Sequence, residues 1–439
     1  MLGYYVELAL RSLKRSRGLT ALMVLAIGFG VAASMTTYSV FRAVSGDPIP
    51  WKSSRLFVPQ LDAWGPSTFG NPNNEPVDAL TYTDAMAFVR DHRAKLQSAI
   101  YVIYPSVVPS RPGEHPFNVG GHAVYAEFFP MVEAPFKFGG AWSDDDDRQR
   151  SAVAVIGSKL NQKLFGGENS VGRSIDVDGK SYRVVGVLDN WNPQPRFYDI
   201  QNTGGFSVAP DELFLPFTRA IESGVANDGN TNCAKPPKEP GFVGLQRSSC
   251  VWVGYMAQLD DATAVAAYRS YLENYAREQQ KAGRFNWAPN YRLRDIPAWL
   301  ESQQVVPSDT KVSLLVALGL LVVCLVNTSG LLLAKFLRRS GEIVVRRALG
   351  AARFAIYAQF LTEAGLIGLA GGVLGLALTG VGTLGVGLVL PRDIAELAKV
   401  DLPLLLMTLA MAVGSTLVAG IYPTFRAARL QPALQLKSN

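Results

Sequence analysis

The sequence is poor in the residues that most catalytic and metal sites require. It has only 3 histidines and 3 cysteines in 439 residues, and neither a Gly-x-x-x-x-Gly-Lys-Ser/Thr phosphate loop nor a Gly-x-Ser-x-Gly elbow occurs in it. His115 and His122 lack the cysteine or carboxylate spacing that zinc demands. The run Asp144–Asp147 is more typical of a solvated loop than of a calcium site. We therefore expect no catalytic, metal or cofactor-binding residue on this chain.

Charged residues are scarce in four long apolar stretches, predicted as membrane-spanning helices at 19–44, 310–336, 354–390 and 402–423. Each stretch is long enough to cross a hydrocarbon core of ~30 Å at ~1.5 Å per residue. The third exceeds one membrane thickness, which predicts a tilted or kinked helix with an interfacial start. A cleaved signal peptide is the alternative for the first, but its length favours a retained anchor.

The middle of the chain, residues 45–309, lacks a further span and is dense in turn-forming residues. Alternation in Ser181–Leu188 predicts a strand, and the spacing of tyrosines in Ala262–Gln280 predicts a helix. The fold class is therefore a membrane bundle of four α-helices in a one-plus-three arrangement, with a large mixed α/β extracytoplasmic domain.

Two cysteines of this domain, Cys233 and Cys250, would close a loop of about 17 residues if an oxidising compartment lets them pair. Two free thiols are the alternative reading. Aromatic residues such as Trp191, Trp252 and Trp299 are interpreted as ordinary core in preference to a ligand groove.

Basic residues flank the predicted spans asymmetrically. They cluster in segments 1–18, 337–353 and 424–439, whereas the loop 391–401 carries both signs. The positive-inside rule therefore predicts that both termini and segment 337–353 are cytoplasmic, and that the large domain lies outside. In a membrane protein the net charge of +6 does not indicate nucleic-acid binding.

Segment 337–353 is predicted to hold a short amphipathic helix on the inner membrane face. Its apolar arc contains Val344, Val345, Ala348, Leu349 and Ala352, and its charged side contains Arg339, Glu342, Arg346 and Arg353. Glu342 and Arg346 are four apart and can pair. Composition alone would favour a simple anchor to anionic lipid.

Several motifs in this chain resemble the FtsX-like permeases of the MacB type. In chain order they are Ala9–Leu13, Val153–Gly157, Leu164–Gly167, Val171–Arg173, Tyr182–Leu188, Glu342–Ala351, Phe360–Glu363, Gly371–Gly375 and Gly420–Ala433. The resemblance covers most of the chain in order. It implies the permease subunit of an ABC transporter in the bacterial inner membrane, with a MacB-like periplasmic core domain.

The resemblance also implies site residues and partners. The helix of segment 337–353 would be a coupling helix, with Glu342, Arg346, Arg347 and Gly350 contacting a cytoplasmic ATPase. The permease would pair with a second copy or a paralogue and contact membrane lipid. A periplasmic adaptor and an outer-membrane channel are further partners that the family allows.

One departure from MacB concerns the ATPase. MacB carries it at the amino terminus, whereas this sequence starts shortly before the first span and lacks the phosphate loop. We therefore expect ATP to bind a separate polypeptide.

Small and acidic residues in the third span are predicted to have structural roles. Gly368, Gly371, Gly372 and Gly375 are predicted to permit close helix packing. Glu363, near the inner end of the span, is interpreted as a polar contact within the bundle rather than a proton-linked site.

Two other functions compete with export. The first is a mechanotransmitting regulator that activates a periplasmic partner such as a cell-wall hydrolase. It shares the coupling helix, but the size of the outer domain favours transport. The second, a membrane-bound kinase sensor, fails because no kinase domain follows the spans.

Overall fold

The computed structural model describes residues 2–66, 74–109, 113, 115–206, 209–306, 308–389 and 401–428. It separates two compact units. The helical unit falls within Met1–Ser45 and Val306–Asn439, and the mixed unit is Gly46–Val305. The predicted loop 391–401 and tail 424–439 lie largely outside the described residues.

The described residues form fifteen α-helices and thirteen strands. The helices are α1 (Leu2–Arg15), α2 (Arg17–Ser45), α3 (Tyr82–Asp91), α4 (Phe128–Val132), α5 (Asp144–Gln149), α6 (Ser158–Phe165), α7 (Ile200–Thr203), α8 (Phe217–Ser223), α9 (Gly241–Gln246), α10 (Ala262–Lys281), α11 (Ile296–Ser302), α12 (Ser308–Leu337), α13 (Ser340–Ala348), α14 (Arg353–Val389) and α15 (Leu402–Ala428). The strands are β1 (Leu56–Leu61), β2 (Leu80–Thr81), β3 (Leu96–Ile103), β4 (Ser106–Val108), β5 (Phe117–Asn118), β6 (Gly121–Val124), β7 (Phe136–Gly139), β8 (Val153–Ile156), β9 (Ser174–Val177), β10 (Lys180–Leu188), β11 (Leu213–Pro216), β12 (Val251–Gln258) and β13 (Tyr291–Asp295).

In the described part of the helical unit, four helices are long and apolar enough to cross a membrane: α2, α12, α14 and α15. One of them precedes the mixed unit in the chain and three follow it. The third, α14, is a single helix of 37 residues, about 55 Å long at 1.5 Å per residue. It therefore exceeds the ~30 Å hydrocarbon core, as its sequence predicted.

The first helix, α1, is a feature that the sequence analysis missed. It occupies most of segment 1–18 and buries Ala9 and Ser12 on one face. The apolar residues Tyr5, Ala9 and Leu13 recur at intervals of four, and that period would have predicted the helix.

The mixed unit is organised by one sheet with the order β13-β1-β12-β3-β6-β11-β8-β10-β9-β4-β5, to which β2 and β7 attach at β12 and β10. Strand β3 connects two parts of it. Residues Leu96–Ile100 of β3 pair with β12, and Tyr101–Ile103 pair with β6. Strands β6, β8, β10 and β11 include both parallel and antiparallel pairs, which is the mixed α/β class that the sequence predicted.

Aromatic side chains fill much of the core beside this sheet. Phe88 of α3 lies edge-on to Tyr255, Tyr271 and Tyr275, with ring centroids 5.2–5.6 Å apart. Edge-to-face pairs of this kind add roughly 0.5–1.5 kcal/mol beyond their buried area. Trp252 and Trp299 are buried, so their interpretation as core is confirmed.

The four aspartates Asp144–Asp147 do not form the solvated loop that the sequence suggested. They make the first turn of α5, which Ser143 caps through a reciprocal pair of hydrogen bonds with Asp146. Negative charge is favourable at a helix amino terminus, which explains the composition. Asp147 is buried, accepts hydrogen bonds from the Trp142 indole and the Ala126 amide, and has its pKa raised by burial to about 7.

Cys233 and Cys250 are joined by a disulfide across a sequence separation of 17 residues. Cys250 is fully buried at the start of β12, and Asn232 bridges the adjacent Val251. The bond therefore fastens the preceding loop to a central strand of the sheet.

A buried charged cluster surrounds His122 on β6. The imidazole is 1% exposed, and its Nε2 and Nδ1 atoms lie 3.2 Å from Asp199 Oδ2 and 3.1 Å from Asp211 Oδ2. Asp211 also contacts Arg196 at 3.1 Å and accepts a 2.7 Å hydrogen bond from Tyr198. Burial opposes the imidazolium, but Asp211 and Asp199 outweigh it and raise the pKa of His122 to about 10. His122 and Arg196 in turn overcome burial and lower the pKa of Asp211 to about 2.

We predict that His122→Gln destabilises the chain by about 3 kcal/mol at pH 6, because it leaves two buried carboxylates with one cation. The folded pKa of His122 lies above its unfolded value of about 6.5, so its contribution is complete below pH 6.5 and is lost as the pH rises through 10. Thermal melting of the full chain in detergent should show a gap between native chain and variant that narrows from pH 6 to pH 10. A gap of constant size over this range would contradict the charged state of His122.

Candidate functional site

The predicted coupling helix is α13, which begins at Ser340 and ends at Ala348. Its end is set by Gly350, whose φ of +94° lies in the left-handed region that favours glycine. The Ala351 amide then bonds the carbonyl of Arg346, which is the six-residue closure of a Schellman motif. Gly350 therefore fixes the exit of the chain from α13 towards α14.

The apolar arc predicted for this helix is only partly buried within the bundle. Among the described side chains of α13, Ile343 and Val344 are buried, although Ile343 was not assigned to the arc. Val345 and Leu349 were assigned to it and are 58% and 83% exposed. The helix therefore packs into the bundle on one side and presents a separate apolar stripe outward.

The charged side of α13 faces other helices and does not simply project into solvent. Glu342 Oε1 lies 2.8 Å from Arg346 Nη2, which confirms the predicted pair. Arg339 bonds the same carboxylate at 3.1 Å, and Arg346 also donates a 2.9 Å hydrogen bond to Gln359 of α14. Each arginine thus joins α13 to a neighbouring element.

Glu363 of α14 forms the centre of a buried ion network, defined here as Glu363, Lys335, Arg339 and Ser12. The carboxylate is fully buried and pairs with Lys335 of α12, itself 3% exposed. It accepts a 2.8 Å hydrogen bond from Ser12 of α1, and its second oxygen lies 3.5 Å from Arg339. Arg339 also donates to Ser12 at 2.7 Å. The interpretation of Glu363 as a polar contact within the bundle is confirmed.

The ion network holds four helices at one point. An isolated charge is costly in an apolar bundle. A charge that is paired and hydrogen-bonded is tolerated, and removing its partner is strongly destabilising because it leaves an uncompensated buried charge. Glu363 and Lys335 therefore fix α14 against α12. Ser12 adds α1, and Arg339 carries the connection on to Glu342 of α13.

Glycines of α14 permit the close packing on which this arrangement depends. A Cβ on Gly371 would lie 2.7 Å from Ile27, and one on Gly375 would lie 3.2 Å from Val31, both on α2. On another face of α14, Gly368 and Gly372 approach α15, where a Cβ on Gly372 would lie 3.0 Å from Ala412. The four glycines thus serve two helix contacts within the chain.

Sequence reasoning missed several members of the site. Lys335, Ser12 and Gln359 were not assigned to it, because their partners lie on helices far away in sequence. The local signal for Ser12 is its position three residues after Ala9, on the same face of α1. Of the predicted coupling residues, the structure describes Glu342, Arg346 and Gly350, whereas the side chain of Arg347 lies outside the described residues.

The arrangement is suited to mechanical connection. In the described part of the chain, no group of three or more histidine, cysteine, aspartate or glutamate residues is placed to hold a metal ion. Four apolar helices of membrane-spanning length, together with a mixed α/β unit, define the class of an integral membrane protein with a large domain outside the spans.

Comparison with known families agrees with this class. Residues 20–275 match the MacB-like periplasmic core domain, and residues 314–432 match the FtsX-like permease C-terminal domain. The chain belongs to the MacB/FtsX-type permease family, which confirms the resemblance carried by its motifs.

Similar curated proteins extend over almost the whole chain. The pyoverdine export ATP-binding/permease protein PvdT of Pseudomonas aeruginosa is 25% identical over 99% of this chain and 58% of its own length. The macrolide export ATP-binding/permease protein MacB of Syntrophobacter fumaroxidans is 26% identical over 98% of this chain and 63% of its own. The chain therefore spans about three fifths of the length of these relatives.

Among solved structures, the periplasmic region of MacB from Actinobacillus actinomycetemcomitans matches 58% of this chain and 94% of its own length. Its sequence identity is 14% and the TM-score is 0.36.

We predict that Glu363→Ala destabilises the helical unit by about 3–5 kcal/mol, because Lys335 is left buried without its carboxylate. The double change Glu363→Leu with Lys335→Met should recover most of that loss, since it replaces a buried ion pair by apolar side chains. Melting of the purified chain in detergent measures both.

Glu7→Gln is the matched control, because it breaks the exposed Glu7–Arg11 pair on α1. Exposed pairs contribute roughly 0–1 kcal/mol, so this variant should melt close to the native chain. A double variant no more stable than Glu363→Ala would count against the ion network as the source of the effect.

Proposed function

We propose that this chain is the transmembrane permease of an ABC exporter and that α13 receives the movement of a cytoplasmic ATPase. The observation that carries the proposal is the connection of α13 to two other helices, α1 and α14, through Glu342, Arg339 and Arg346. A helix joined in this way cannot shift alone. Its displacement would move the spans as rigid bodies and reach the unit on the other side of the bilayer.

The chemistry of α13 suits a protein partner. Leu349 and Val345 present exposed apolar surface, while the neighbouring Glu342 and Arg346 carry opposite charges. Protein interfaces combine an apolar centre with a polar rim, and a short helix with both fits a groove on a partner. The relatives' names include ATP binding, which supports an ATPase as that partner.

Export is favoured as the outcome of this movement because the similar curated proteins are named as exporters. A second permease copy would complete the assembly, since the symmetric pairing of identical chains is the commonest form of oligomer. The proposed orientation places both termini and α13 in the cytoplasm, with the mixed unit in the periplasm, because basic residues concentrate beside α13 and α1.

We predict that Glu342→Ala with Arg346→Ala weakens association with the co-purifying ATPase by on the order of tenfold or more, because truncating interface charge pairs costs ~2 kcal/mol or more. Affinity purification in mild detergent identifies the ATPase as a chain with a phosphate loop. Titration of that ATPase against the reconstituted permease then measures binding and stimulated ATP hydrolysis.

Glu273→Ala with Arg277→Ala is the matched control. These residues form a pair of the same type and spacing on α10 of the mixed unit. This variant should bind and stimulate the ATPase as the native chain does. If both double variants behave as the native chain does, α13 is not the coupling element.

Sidedness provides a separate test. In a Cys324→Ser background, Leu349→Cys and Val243→Cys each introduce one free thiol at an exposed position. A membrane-impermeant maleimide should label position 243 in spheroplasts, and position 349 only after the inner membrane is permeabilised. Labelling of position 349 in intact spheroplasts would refute the proposed orientation.

A further inference from the structure

A cavity of about 550 Å³ lies in the helical unit between α1, the start of α2, the end of α12 and α13. Its lining is strongly basic. The cations that face it are Arg11, Arg15, Lys335, Arg338, Arg339 and Arg346. This group is named the basic cavity below.

The positive charge of the basic cavity is only partly neutralised. Glu7 pairs with Arg11, Glu342 with Arg339 and Arg346, and Glu363 with Lys335. Six cations thus face three carboxylates, which leaves a net charge of three. Within the part of the chain that the structure describes, no carboxylate pairs with Arg15 or Arg338.

An apolar surface continues from this cavity along α2. Leu19 lines the cavity, and one and two turns further on Leu22 and Leu25 are 53% and 45% exposed, followed by Phe29 at 59%. At 100° per residue these four positions fall within about one third of the helix circumference. Because α2 is long and apolar enough to span a membrane, this stripe faces either lipid or another apolar surface.

We propose that the basic cavity binds the phosphate headgroup of an anionic membrane lipid, whose acyl chain lies along Leu22, Leu25 and Phe29. Guanidinium groups donate paired hydrogen bonds to phosphate oxygens, and several arginines around one cavity provide that geometry. A free phosphate shares this anion chemistry, but it makes no use of the apolar stripe. The combination of the two surfaces therefore selects an amphiphile.

The position of the cavity gives the lipid a role. The same arginines that line it, Arg339 and Arg346, connect α13 to α1 and α14. A bound headgroup would add a bridge between Arg15 of α1 and Arg338 at the end of α12. The lipid would thus reinforce the junction that holds α13, and this binding does not depend on ATP hydrolysis.

The test measures binding of fluorescent phosphatidylglycerol to the purified full chain in detergent. Arg15→Gln with Arg338→Gln removes the two cations without a carboxylate partner and retains the ion network. At about fivefold per cation near a membrane surface, affinity should fall about twenty-five-fold. Fluorescent phosphatidylcholine, which has no net charge, should bind the native chain at least tenfold more weakly than phosphatidylglycerol.

Lys14→Gln with Arg17→Gln is the matched control, since it removes the same amount of charge at two exposed positions beside Arg15 that lie outside the described lining of the cavity. It should retain native affinity. If this control lost as much affinity for phosphatidylglycerol as Arg15→Gln with Arg338→Gln, the binding would depend on general surface charge. That result would overturn the proposal.

Two further measurements identify the molecule that occupies the basic cavity. Inorganic phosphate at the same concentration as unlabelled phosphatidylglycerol should fail to displace the probe, and equal displacement would make the cavity a free-anion site and overturn the lipid assignment. Loss of ATPase association in Arg15→Gln with Arg338→Gln, with lipid binding unchanged, would assign the cavity to a protein partner and overturn it as well.

Discussion

The buried pair between Lys335 and Glu363 is the interaction on which the helical unit depends. Both side chains are almost completely enclosed, so each charge is tolerated only because the other is present. Ser12 and Arg339 extend the pair to α1 and α13. The position of α13 is consequently not set by its own nine residues, which are too few to form a stable isolated helix. It is set by polar and charged side chains from α1, α12, the turn after α12 and α14.

The mixed unit also contains a buried cluster of opposite charges. His122 is enclosed by Asp199 and Asp211, and Arg196 balances the second carboxylate. This cluster fixes the loop that carries Asp199 and Asp211 against β6, beside a cavity of about 310 Å³. In both units, therefore, paired buried charges determine how distant segments meet, while apolar packing supplies most of the stabilisation.

Sequence reasoning recovered the features that are local in the chain. Length and apolarity predicted the four spanning helices, and a spacing of four residues predicted the Glu342–Arg346 pair. The motifs predicted the family. Features that depend on long-range contacts could not be predicted from the neighbouring sequence. Nothing near His122 in sequence indicates Asp199, and nothing near Glu363 indicates Lys335 or Ser12. Helical periodicity placed Val344 and Val345 on one apolar arc, but it did not indicate that Val344 packs within the bundle whereas Val345 is exposed.

The topology of the mixed unit has a mechanical consequence. The strands nearest its two ends, β1 and β13, pair with each other, so the chain enters and leaves the unit at one edge of the sheet. Tension applied through the two connecting segments would first load this antiparallel ladder and then β12. Strand β3 belongs to both parts of the sheet and would carry the remaining strain to β6. Force applied at this edge would thus move the sheet as one rigid body, and neither part of the sheet would rotate separately from the other.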